Sequence, residues 1–245
     1  MSLEHIIYFA LLALVAEILG TIGGFGSSLF FVPIAGFFLD FHSVLGITAL
    51  FHITSNLSKI VLFRNGFDKE LLIKLGIPSV LLVIVGAYMS KFFDSVILEY
   101  CLSIFLISLS LLFLIFKNLR VKPTTFNSVS GGFLSGLIAG LLGTGGAIRG
   151  VVLASFNLKM DVFIATSAII DLAIDVSRSV VYSINGYVHK DDLYLIPILF
   201  VVSIAGTFIG KSILKRVSET QFRSTVLFLI LITGLITISK LLFFN

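Results

Sequence analysis

Twice in this chain a run of glycines interrupts strongly hydrophobic sequence, first as Gly20-Thr21-Ile22-Gly23-Gly24-Phe25-Gly26 and again as Gly140-Leu141-Leu142-Gly143-Thr144-Gly145-Gly146. Glycine reaches backbone dihedrals closed to other residues, so each run marks a place where helix can give way to a turn. The runs fall at the same point of two otherwise apolar halves. Any fold must accommodate the break twice.

Hydrophobic residues make up 58% of the chain and charged ones 12%, with 25 phenylalanines and a mean hydropathy of +1.13. A soluble core has no use for that much apolar surface. The stretches 71–93, 96–116, 193–215 and 222–244 each reach the roughly 17–25 apolar residues that a bilayer crossing takes. The chain therefore reads as an all-α polytopic membrane protein. Its start, Met1-Ser2-Leu3-Glu4-His5, lacks the basic segment of a signal peptide, and the first apolar run is expected to be retained. The lone Cys101 excludes an intramolecular disulfide and a cysteine metal cluster. The basic residues behind the formal charge of +4 lie in short loops, where membrane orientation explains them better than nucleic-acid binding.

Apolar segments run over 3–19, 26–39, 44–63, 71–93 and 96–116, then over 129–142, 147–158, 161–182, 193–215 and 222–244. A polar stretch from Lys117 to Thr125 separates the two sets, giving a first repeat over 1–116, a linker over 117–128 and a second repeat over 129–245. Sliding the first repeat forward by about 120 positions supports duplication. Gly20, Gly23 and Gly26 then fall on Gly140, Gly143 and Gly146, Asn65-Gly66-Phe67 on Asn185-Gly186-Tyr187, Gly86 on Gly206, and Lys91 on Lys211.

Loop charge bears on how the repeats face each other. If each half crosses an odd number of times, one side holds Arg64, Lys69, Lys74, Lys117, Arg120, Lys122, Lys159, Lys211, Lys215, Arg216 and Arg223, and the other only Lys91, Lys190 and Lys240. An even number divides the same cations almost equally. The positive-inside rule favours the odd case, with two inverted five-helix repeats and both termini outside.

Segments 26–39, 129–142 and 147–158 measure only about 20 Å as helix, against a hydrocarbon core of about 30 Å. Each half is expected to open with a glycine-tipped short-helix hairpin dipping to the membrane midplane. At the tips, Gly23, Gly24 and Gly26, and Gly143, Gly145 and Gly146, would turn backbone N–H groups toward an anion. The helix after each tip would add its N-terminal partial positive charge. Ser27, Ser28 and Thr144 beside the tips can donate to anion oxygens. The competing reading is that these glycines only let helices pack closely.

The glycine run with its proline-containing sequel, Gly23-Gly24-Phe25-Gly26-Ser27-Ser28-Leu29-Phe30-Phe31-Val32-Pro33, is followed by the turn Arg64-Asn65-Gly66-Phe67-Asp68. The pattern recurs as Gly143-Thr144-Gly145-Gly146 and Asn185-Gly186-Tyr187. In these motifs the chain resembles the sulfite exporter TauE/SafE family of membrane anion permeases over nearly its whole length. The resemblance implies transport of small sulfur-containing or carboxylated anions, such as sulfite or sulfonates, across a bacterial cytoplasmic membrane. A small anion and the lipid bilayer are then the expected partners, and a homodimer is left open.

Polar residues within the apolar segments give an independent reading. Arg149 falls in the first turn after the second tip, where a cation deep in the bilayer costs about 2.5 kcal/mol or more and the helix dipole opposes it. A substrate oxyanion or a carboxylate on a facing helix must answer it. Asp171, Asp175 and Arg178 occupy one helix face within about 60° of arc, and His52, Asn56 and Lys59 repeat that spacing in the first half. Arg149, Asn56, Lys59, Asp171, Asp175 and Arg178 are the expected substrate contacts, with Glu17, His52, Asp171 and Asp175 as candidate proton carriers. Bland readings remain for each: Lys59 and Arg178 snorkelling to the interface, a static network of paired charges, a packed neutral His52. An enzyme would need a nucleophile with its base or a metal cluster, and no metal or cofactor is expected. A cation channel or transporter using the intramembrane carboxylates is the stronger rival to an anion permease.

Overall fold

A computed structural model describes residues 1–24, 26–116, 121–214 and 219–243. Phe25 of the first break and residues 117–120 and 215–218, which include four of the loop cations, lie outside the described residues. The described chain is helical, with no strand. Its ten helices are α1 (Leu3–Gly23), α2 (Ser28–Ala35), α3 (Phe41–Leu62), α4 (Lys69–Phe92), α5 (Ser95–Ile115), α6 (Thr125–Leu142), α7 (Gly146–Ala154), α8 (Met160–Ile184), α9 (Leu195–Leu214) and α10 (Glu219–Phe243).

Local chemistry fixes most of the ends. The side chain of Ser2 accepts from His5 N–H at the start of α1, Asp40 from His42 N–H at α3, Asp68 from Leu71 N–H at α4, and Thr124 from Asn127 N–H at α6, each satisfying a donor that the first helical turn leaves free. At both breaks a left-handed glycine closes the helix. Gly24 (φ 67°) donates back to Gly20 O at 3.1 Å, and Gly143 (φ 76°) to Ala139 O at 3.0 Å. In α4, a π-helical turn over Leu72–Gly76 precedes Pro78. A widened turn there relieves the clash and the lost hydrogen bond that proline imposes within a helix.

Six helices, α1, α3, α4, α5, α6 and α9, are long and apolar enough to cross a membrane. The segment expected over 129–142 is one of them. Capping by Thr124 moves its start to Thr125, so α6 reaches 18 residues and is not a short helix. The helices following the breaks are short: α2 has 8 residues and α7 has 9, about 12–14 Å at 1.5 Å per residue, less than half the hydrocarbon thickness. After each break the chain runs back against the helix before it. Ser27 lies on Gly20 of α1, and Gly145 lies on Ser135 and Ala139 of α6.

The helix α8, with 25 residues, carries Asp171, Asp175 and Arg178 into the centre and runs antiparallel to α3. Asn56 meets Asp175, His52 meets Arg178, and Asn65 just beyond α3 meets Asp161. In the same way α5 is antiparallel to α10, with Tyr100 bonded to Leu241 O and Gly234 packed on Leu106 and Ile107. By contrast α1 runs parallel to α9, with Glu17 against Gly206 and Thr21 against Gly210. Likewise α6 runs parallel to α4, Gly132 against Leu75 and Pro78, Gly136 against Ser79, and Gly140 against Val83 and Gly86.

Glycine permits the α4–α6 approach, so part of the second glycine run does serve packing. A Cβ on Gly136 would lie 2.8 Å from Ser79 Cα, a backbone atom that cannot swing aside. Gly136→Ala should therefore destabilise the protein by about 1–3 kcal/mol through overpacking, read as a lower unfolding midpoint in detergent.

Candidate functional site

The two breaks line one narrow, nearly filled cavity. The first contributes Gly26, Ser27 and Ser28, the second Gly143, Gly145 and Gly146, so the N-terminal ends of α2 and α7 both border it. The α3 face adds His52, Asn56 and Lys59, and the α8 face adds Asp171, Asp175 and Arg178. A second narrow cavity adjoins it, sharing Gly26, Asn56, Lys59 and Asp171, and is lined further by Gly24.

The two polar stripes face each other. Arg178 is 2% exposed, which rules out snorkelling to the interface. Its Nε donates to Asp175 Oδ1 at 2.8 Å, and its Nη1 donates to Gly143 O at 2.7 Å and Ala139 O at 3.2 Å. The guanidinium thus caps the carbonyl end of α6, where a cation is favoured, and fixes the second glycine turn. Asn56 Nδ2 donates to the other oxygen of Asp175 at 2.7 Å. Because an arginine can only donate, the 3.4 Å contact of Arg178 Nη2 with His52 Nδ1 makes that nitrogen the acceptor. Nε2 then carries the ring proton and donates to Ser27 Oγ at 2.9 Å, which donates in turn to Glu17 Oε2 at 2.5 Å. His52 is a neutral relay between the stripe and Glu17.

Glu17, fully buried in α1, gathers donors from three helices and from Ser27 of the first break. Lys59 lies 2.9 Å from its carboxylate, Ser55 donates at 2.6 Å, Thr207 of α9 at 3.0 Å and Thr21 at 3.2 Å. Lys59 also donates to Ser55 Oγ at 2.6 Å. Arg149 is fully buried and paired with Asp171. It lies behind that carboxylate and is not among the cavity-lining residues. Its Nε reaches Ser167 Oγ at 3.4 Å, and its Nη1 has no hydrogen-bond partner among the described residues.

Residues 9–237 match the family model for the sulfite exporter TauE/SafE. The chain belongs to the sulfite exporter TauE/SafE family. It is accordingly a multi-pass membrane protein of a transport family, in agreement with its six apolar helices. No curated protein and no solved structure matches the chain.

In this TauE/SafE chain, most of the expected site residues converge, and a few stand apart. Gly23 borders neither cavity, Gly24 borders only the second one, and Thr144 is buried with its hydroxyl unpartnered among the described residues. Arg149 acts on the cavity through Asp171. Ser55, Ser167 and Thr207 belong to the networks without having been anticipated. Ser55 could have been found one turn before Lys59, and Thr207 next to the repeated Gly206; a hydroxyl is too common in membrane helices to single itself out. The repeated Asn-Gly turns are left-handed at both Gly66 (φ 108°) and Gly186 (φ 82°). Lys91 sits over the Tyr88 ring, and Lys211 sits over the Phe63 ring and also donates to Leu62 O at the end of α3.

Proposed function

We propose that this protein is a permease for small organosulfur or carboxylated anions, such as sulfite or a sulfonate, working by alternating access in the bacterial cytoplasmic membrane. The observation that carries the reading is the cavity bordered by two helix N-termini together with Lys59 and Arg178. Helix N-termini and glycine turns offer partial positive charge and backbone donors to an anion, and Lys59 and Arg178 add positive charge at the cavity wall. Arg149 holds Asp171 in position rather than touching the anion.

Inverted halves are the second part of this proposal. An axis lying in the membrane plane exchanges equivalent residues and reverses direction, so equivalent helices that pack on each other must run antiparallel. The pairs α3–α8 and α5–α10 do so. His52 meets Arg178, the equivalent of Lys59, rather than its own equivalent Asp171, and Asn56 meets its own equivalent Asp175. The α1–α9 contact of Glu17 with Gly206 has its exchanged copy in the α4–α6 contact of Gly86 with Leu137. On this reading, α2 and α7 are re-entrant arms with their starts near mid-depth, both termini lie outside, and rocking of one half against the other exposes the cavity alternately.

A cation-conducting reading draws no support from the site, because Glu17, Asp171 and Asp175 each have a cationic partner. Purified protein in liposomes should carry radiolabelled sulfite or an alkylsulfonate down its gradient while remaining tight to sodium. Sodium-selective flux with neither anion moving would overturn the proposal.

A further inference from the structure

The charges around the cavity balance. Lys59, Arg149 and Arg178 stand against Glu17, Asp171 and Asp175, each cation paired with one carboxylate and all six groups within the helical interior. An anion entering this cluster would leave one buried negative charge unanswered, which a low-dielectric site resists strongly. One added proton removes the excess. The carboxylate best placed to take it is Asp171, which borders both cavities and is the most exposed of the three, its side chain 17% accessible against 4% for Asp175 and 0% for Glu17. Its Oδ2 accepts from Arg149 and Ser167, whereas its Oδ1 accepts from no described residue. Asp175 has both oxygens engaged, by Arg178 and Asn56, and Glu17 likewise.

Building on the permease reading, we propose that Asp171 takes up one proton for each anion bound, so that a monoanion and a proton cross together without net charge. The groups facing Asp171 are Arg149 from α7, Lys59 from α3 and, on its own helix, Arg178 and Asp175, with Glu17 and His52 beyond Lys59 and Arg178. When Asp171 is protonated, the positive charge of Arg149 behind it is no longer answered by a carboxylate and is balanced, across the neutral carboxyl, by the anion in the cavity. The proton comes from water on the loading side, rests on Oδ1, and leaves to water on the opposite side with the anion.

Methanesulfonate stays ionised over the working pH range and cannot carry a proton of its own, so it is the primary probe, with sulfite alongside. In liposomes with the voltage clamped by potassium and valinomycin, wild-type methanesulfonate uptake should be insensitive to voltage and should acidify the lumen. Its apparent affinity should fall about tenfold per pH unit on the alkaline side, as one linked proton requires. Asp171→Asn keeps the shape and an acceptor for Arg149; its flux of either anion should move one more negative charge per anion than wild type and lose the pH dependence. Voltage-driven wild-type uptake with constant lumenal pH, or equal charge per anion in wild type and Asp171→Asn, would overturn the coupling and leave the permease reading standing. Flux of neither anion would remove the permease reading and the coupling with it.

Discussion

Replacing Glu17 with alanine is expected to destabilise the protein by about 3–5 kcal/mol, the range for breaking a buried ion pair by removing one partner. The carboxylate is wholly inaccessible and accepts from four hydroxyls as well as from Lys59. Its removal leaves an ammonium in the protein interior without its counter-charge. Hydroxyls from α1, the first break, α3 and α9 lose their common acceptor at the same time. Because these donors come from both halves, the loss should loosen α9 from α1 as well as the first break from α3. Equilibrium unfolding in detergent measures the effect, and restoring part of the stability with Glu17→Ala/Lys59→Met would identify the stranded cation as its main source. Equal stability of Glu17→Ala and wild type would show that the network contributes nothing.

Arg178→Gln is expected to lower anion affinity by about tenfold to a hundredfold, or about 1.4–2.7 kcal/mol, because the cavity wall loses a buried positive charge. Glutamine can keep one donor toward Gly143 O or Ala139 O but cannot also hold Asp175 and present a positive charge to the cavity. The effect should therefore combine weaker anion binding with a loosened second glycine turn. Binding and flux measured side by side separate the two: a change in affinity with wild-type thermal stability locates the loss in the cavity. Arg178→Lys should recover only part of the function, since an ammonium restores the charge without the fork that reaches Asp175 and two carbonyls at once.

The helical class and the places where helices break were legible because each depends on a stretch of adjacent residues. Apolar length announces a crossing, and clustered glycine announces a left-handed turn, as Gly24 and Gly143 show. The stripes were legible too, since helical periodicity puts His52, Asn56 and Lys59 on one face and Asp171, Asp175 and Arg178 on another. The length of α6 was missed because its first turn is polar and is held by the cap at Thr124, which apolar counting does not register.

By itself, the sequence determined that this chain is a membrane protein with two glycine breaks and two charged helix faces, all properties set within a helix or a short turn. Only the tertiary structure decided which faces meet, placing Lys59 with Glu17, Arg149 behind Asp171, and Arg178 at the cavity. The reason is physical: a buried charge takes its partner from whichever helix packs against it. That neighbour, as with Asn56 and Asp175, can come from the other half of the chain.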